Sequence, residues 1–146
     1  MTKDLKKELQ NDYNTFIEFL SQEKNLLIGL VEELKDYVDD DDVPGVYLRG
    51  LEQKLESNTA TKKDIDYFIR SLNIDTMEIQ MYDRGKAVLS FVAKCDLYRI
   101  SEEIDITLRY GKVFINGIWP DDISKTLDVE GYSEDCRYSI SKNEFY

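Results

Sequence analysis

The stretch IDITLRYGKVFINGIW, residues 104–119, decides the fold. Ile104, Ile106, Leu108 and Tyr110 alternate with Asp105, Thr107 and Arg109. A period of two puts every second side chain on one face, which is the pattern of a half-buried strand. Gly111-Lys112 follows, with glycine first, as a two-residue type II′ hairpin loop requires. That turn places Tyr110 opposite Val113, Leu108 opposite Ile115 and Ile104 opposite Trp119, all on one face. Antiparallel pairing is therefore expected through the C-terminal half.

Working outward, the same period appears upstream. Met77, Ile79 and Met81 alternate with Glu78, Gln80 and Tyr82. Asp83-Arg84-Gly85-Lys86 reads as a turn. Ala87–Ala93 (AVLSFVA) is almost continuously apolar, which predicts a central strand covered on both faces. Downstream, Cys136, Tyr138 and Ile140 mark a last strand. A sheet part over 75–142 with four or five strands follows.

Before residue 74 the period is helical. Leu9, Tyr13, Phe16, Leu20, Leu27, Leu30, Leu34 and Tyr37 recur in steps of three and four, and only Glu23 breaks the register. Unbroken, a helix over 3–38 would run about 54 Å. It is expected either to break near Ser21–Asn25 or Gly29, or to pack its free end elsewhere. Its broad apolar stripe suits a core, with a homodimer seam along this helix as the alternative. Asp39-Asp40-Asp41-Asp42 should stop it, because acids at a helix C-terminus oppose the dipole. Asp42 can cap a short helix over about 44–56, where Leu48, Leu51 and Leu55 share a face and Pro44 fits the first turn. Thr61 and Asp64 have capping-box spacing before Ile65, Phe68, Ile69 and Leu72. Helices over 3–73 (one long, two short) followed by an antiparallel meander give an α+β fold, expected as a single domain over 1–146.

The chain carries 30 acids, 19 bases and no histidine, for a net charge of −11. Residues 1–73 contribute −6 and residues 74–146 contribute −5, so the negative charge belongs to the whole body. Such a body repels nucleic acid and anionic membranes and attracts basic partners. A charged start and the lack of any long apolar run predict a cytoplasmic protein without membrane contact. Cys95 and Cys136 then read as reduced thiols.

Known chemistries mostly fail on residue type. Without histidine there is no Ser-His-Asp or Cys-His pair and no histidine zinc site. Neither GxxxxGK[ST] nor GxGxxG occurs. An EF-hand loop begun at Asp40 puts Asp42 at position 3 and Gly45 at position 6. It also puts Pro44 at position 5 and Leu51 where a bidentate Glu belongs. Pro120-Asp121-Asp122-Ile123-Ser124-Lys125 lacks the acid-x-Lys step of metal-dependent nucleases, and Glu52-Gln53-Lys54 has it on a predicted helix. No catalytic residue, metal ligand or cofactor is expected.

What remains is surface. Ten tyrosines accompany the acids, several adjacent to a carboxylate: Asp12-Tyr13, Asp36-Tyr37, Asp66-Tyr67 and Tyr82-Asp83. The candidate partner-binding residues are Glu32, Glu33, Asp36, Tyr37, Asp39, Asp40, Asp41 and Asp42, with carboxylates standing in for phosphates. In general character (small, acidic, without catalytic residues) the chain resembles immunity proteins, anti-restriction DNA mimics and anti-CRISPR proteins. That resemblance implies a non-catalytic inhibitor bound to the basic surface of a nucleic-acid enzyme. The order of elements is also similar to NTF2-like cones, which implies instead a small-ligand or scaffold domain with Trp119 or Phe114 lining a pocket.

Overall fold

The computed structural model describes residues 4–82, 86–95, 102–109, 112–117 and 132–146. Four helices, α1 (Leu5–Gln22), α2 (Lys24–Lys35), α3 (Val43–Glu56) and α4 (Lys62–Ser71), precede six strands. The strands are β1 (Ile74–Tyr82), β2 (Lys86–Cys95), β3 (Glu102–Arg109), β4 (Lys112–Ile115), β5 (Cys136–Ser139) and β6 (Glu144–Phe145). The fold is α+β, with the helices on one face of an antiparallel sheet.

The expected long helix is two helices. Glu23 adopts an extended backbone (φ −104°, ψ 92°), at the residue where the apolar register slips. Breaking there lets both stripes turn inward. Leu9, Phe16 and Leu20 of α1 and Leu26, Leu27, Leu30, Val31 and Leu34 of α2 are buried in the core of one chain. The stripe considered as a dimer seam is thus covered without a second copy. The starts of α1 and α4 are capped by side chains. Asp4 accepts from the Lys7 amide at 3.4 Å. At α4, Thr61 Oγ1 accepts from the Asp64 amide at 3.1 Å, and Asp64 Oδ2 accepts from the Thr61 amide at 3.0 Å.

The sheet order is β4-β3-β2-β1-β5-β6. The first four strands form the expected meander, but β5 pairs with the other edge of β1, so the whole sheet is not a meander. Two further expectations are corrected. In the β3–β4 hairpin Leu108 pairs with Val113 and Ile106 with Ile115, two residues from the register expected for a Gly111-Lys112 loop. Arg109 pairs with Lys112; residues 110–111 lie outside the described residues, as do Trp119 and residues 83–85 of the expected Asp83–Lys86 turn, whose last residue, Lys86, begins β2. A shift of two preserves the faces, and Ile104, Ile106, Leu108, Val113 and Ile115 are all buried. The second correction concerns β2. Leu89, Phe91, Ala93 and Cys95 are buried, whereas Val88, Ser90 and Val92 on the opposite face are only half-buried. The apolar run reflects an interior position in the sheet order, with full packing on the helical side alone.

Aromatic contacts join the layers. The Phe16 ring of α1 lies 4.4 Å from that of Phe91 on β2, and Tyr13 lies 6.4 Å from the same ring. Burial, then the nearby Asp75 carboxylate, pushes the Tyr13 phenol above its ordinary pKa. The C-terminal strands are held to α1 through polar groups. Gln10 Nε2 donates to Tyr138 Oη at 3.0 Å and to Asn143 Oδ1 at 3.1 Å, and Tyr138 Oη donates to Asn143 Oδ1. Tyr132, nearly fully buried, donates its hydroxyl to Asp12. Four asparagines, Asn58, Asn73, Asn116 and Asn143, hold positive φ at element ends. A short amide side chain tolerates that region better than most residues.

Candidate functional site

The eight candidate residues lie together at one end of the helical layer. Glu32 and Glu33 occupy the last turns of α2, and Asp36, Tyr37 and Asp39–Asp42 form the connection to α3. All are exposed except Glu33, which is half-buried. Glu33 is also the one with a polar partner: its Oε1 accepts from Asn116 Nδ2 at 3.0 Å, tying α2 to the end of β4. The carboxylates of Glu32, Asp36, Asp39, Asp40, Asp41 and Asp42 make no hydrogen bond or ion pair among the described residues. Residues 32–42 carry seven acids and only one base, Lys35.

Lys35 is committed elsewhere. Its Nζ meets Glu52 of α3 at 3.0 Å, with 29% and 16% of the two side chains exposed. The hydrogen bond to Glu52 raises the Lys35 pKa, burial opposes that, and the charges of Glu52, Glu32 and Asp40 add to the rise. The ammonium stays charged and binds α2 to α3 beneath the acidic turn.

This acidic tip is tied down by its backbone. A Cβ at Gly45 would lie 2.0 Å from the Asp39 carbonyl oxygen, so the loop crosses the first turn of α3 at a distance only glycine permits. The Asp42 amide donates to Asp39 O at 3.2 Å, and Arg49 Nη2 donates to Asp40 O at 2.6 Å. Asp42 is the N-cap residue of α3 by backbone position, but its side chain makes no capping bond. It therefore points its charge to solvent. The placement has an electrostatic logic. α2 stops at Lys35, before the Asp run, and the run leads directly into the positive N-terminal end of α3, with Asp42 at its N-cap position.

A second feature lies beside the tip. α3 and α4 enclose a cleft of about 380 Å³ whose α3 wall is Val46, Tyr47, Gly50, Leu51 and Lys54. Lys63, Asp64 and Tyr67 form its α4 wall. The rings of Tyr47 and Tyr67 meet edge to face, with centroids 5.8 Å apart at 73°. Val46 and Tyr67 are 54% and 47% exposed. Gly50 is mid-helix, where it costs about 1 kcal/mol relative to alanine, yet nothing lies within 4 Å of where its Cβ would be. Sequence reading missed this cleft because its walls come from two separate helices; the only signal was Tyr67 beside Asp66.

Other candidate chemistry resolves into structural roles. Cys95 on β2 and Cys136 on β5 are not disulfide-bonded, and β1 lies between their strands. Burial, with added repulsion from Glu134 and Asp135, pushes the Cys136 thiol upward, the opposite of an activated nucleophile. Burial also drives the Asp75 carboxyl upward, but hydrogen bonds from Ser141 and Ser139 outweigh it and hold the pKa below the ordinary value. Among the described residues no three carboxylates or thiols converge as metal ligands, and no helix is long and apolar enough to cross a membrane. Asp121, Asp122 and Lys125 lie outside the described residues. Comparison with protein-family models, curated proteins and solved structures finds no match.

Proposed function

We propose that this chain is a non-catalytic protein-binding inhibitor whose acidic tip occupies the basic, nucleic-acid-binding surface of an enzyme. One observation carries the reading: Asp39–Asp42, whose carboxylates make no ion pair among the described residues, sit on a turn whose backbone is fixed by Gly45 and Arg49, next to the exposed Glu32 and Asp36 at the end of α2. Uncompensated charge on a mobile tail serves solubility equally well. Fixed charge reduces the ordering entropy that a partner must otherwise overcome. Lysines and arginines that ordinarily meet phosphates would meet Glu32, Asp36 and Asp39–Asp42 instead. Tyr37, 47% exposed beside them, supplies aromatic area of the kind that anchors interfaces. The body charge of −11 would steer a basic partner toward this end and repel competing nucleic acid.

The reading as a small-ligand cone would need a pocket between helices and sheet. There Phe16, Phe91, Leu89, Met77 and Ile106 are buried against one another in a single cluster, which favours the inhibitor. The experiment is affinity purification of the tagged protein from its native cells at low salt. A basic nucleic-acid enzyme, inhibited while bound and eluting as salt rises, is the expected result. Recovery of the chain alone would overturn the proposal.

A further inference from the structure

The α3–α4 cleft has the chemistry of a ligand site that is independent of the acidic tip. We infer that it binds a small aromatic anion, one flat ring bearing one acid group. The ring position is given by Gly50 and the tyrosines. Gly50 leaves the cleft floor without a side chain, and Tyr47 and Tyr67 stand beside that opening with their rings at 73°. A flat ring laid over Gly50 presents its face to one tyrosine and its edge to the other, both favourable aromatic geometries. The volume of about 380 Å³ lies at the small end for ligand sites, which suits one ring and one acid.

The acid position is given by two lysines. Gly50 and Lys54 are one helical turn apart, about 6 Å along the α3 axis, so an acid group on a ring over Gly50 reaches the Lys54 ammonium. Lys54 is held only loosely, 3.7 Å from Asp64 Oδ2, with 53% of its side chain exposed. Lys63 makes no ion pair among the described residues, and it stands one turn before Tyr67 on the same face of α4. Both lysines thus flank one opening, while the Asp64 carboxylate in the same lining is turned to the α4 cap, accepting from the Thr61 amide at 3.0 Å. The lining sets Lys54 and Lys63 against one carboxylate, Asp64, a local excess of positive charge on a body of net charge −11, paired with aromatic walls and an unfilled floor.

The test uses the isolated full chain and amide NMR spectra. Indole-3-acetate is the probe, with indole-3-acetamide as the uncharged control and acetate as the non-aromatic control. Indole-3-acetate should shift the amides of residues 46–54 and 63–67 saturably. The acetamide, or indole-3-acetate on Lys63→Gln, should bind about tenfold more weakly, the effect of losing one charge-assisted hydrogen bond. Gly50→Leu should fill the floor and abolish the shifts while keeping a thermal midpoint at or above wild type. Lys63 is exposed, so its variant tests the site even if Gly50→Leu folds poorly. No saturable shift at these amides overturns the inference. Equal binding of the acid and the amide also overturns it, since the cleft is then an apolar groove only. Shifts confined to residues 36–42 would place the ligand elsewhere and likewise overturn it.

Discussion

Gly45 and Gly50 stand five residues apart in one helix, and the same added methyl group should act on them in opposite directions. At Gly45 the new Cβ meets the Asp39 carbonyl oxygen at 2.0 Å, and the obstacle is backbone rather than a side-chain end. Gly45→Ala should therefore lift the acidic turn from α3 and destabilise the protein by about 2 kcal/mol in urea titration, in the range of overpacked sites. At Gly50 the new Cβ meets nothing within 4 Å. Gly50→Ala should stabilise by about 1 kcal/mol through helix propensity alone. The neighbouring sequence shows neither difference. Both residues are single glycines in an apolar-periodic stretch, and only the path of Asp39 over the helix separates them. The asparagines tell a similar story: positive φ at Asn73 and Asn116 follows from where elements end, which single residues do not announce.

Among elements, local periodicity was legible and long-range pairing was not. The slip at Glu23 was visible as one interruption in a run of threes and fours, and the chain breaks there. The period-two run at 104–108 gave the right face for each residue even though the pairing is displaced by two, because an even displacement keeps faces unchanged. The return of β5 to the free edge of β1 had no local signal, since its partner lies more than fifty residues upstream. Strand β6, only two residues long, is too short for any period to show. Asp75 is the polar hinge of that return: it accepts from the Ser141 amide at 2.7 Å and lies within reach of Ser139 Oγ at 3.4 Å. Its folded pKa lies below the ordinary 3.8, so the stabilisation is complete above about pH 4 and is lost as pH falls through the lowered value. The stability gap between wild type and Asp75→Asn should thus be widest at neutral pH and close below about pH 4. With a partly exposed site, the gap should stay under about 1 kcal/mol. Urea midpoints of both proteins across that range check it. For the helix–sheet contact, Phe16→Ala removes a fully buried ring from against Phe91 and should cost about 3–5 kcal/mol by the same titration.

At the scale of the molecule, the charge of −11 was plain in composition, and its even division between the halves excluded an acidic tail. Composition did not reveal which carboxylates stay unpaired. Glu52 is taken by Lys35, Asp64 by the Thr61 cap and Lys54, and Glu33 by Asn116. Among the described residues the carboxylates of Glu32, Asp36 and Asp39–Asp42 have no such partner, and they are the ones gathered at one end of the helical layer. Replacing Asp39, Asp40, Asp41 and Asp42 together by Asn relieves like-charge repulsion and keeps a good cap residue at position 42. That variant should fold and be at least as stable as wild type at low salt, a result read from its thermal midpoint. It should lose partner association without losing structure, which separates a binding role for the acids from a folding role. The decisive measurement is the salt dependence of affinity, by titration calorimetry, for the recovered basic enzyme against wild type and the fourfold Asp→Asn variant. Wild-type affinity should fall steeply with rising salt, and the variant should bind more weakly at low salt with a much shallower slope. Equal slopes and equal affinities for the two proteins would contradict it.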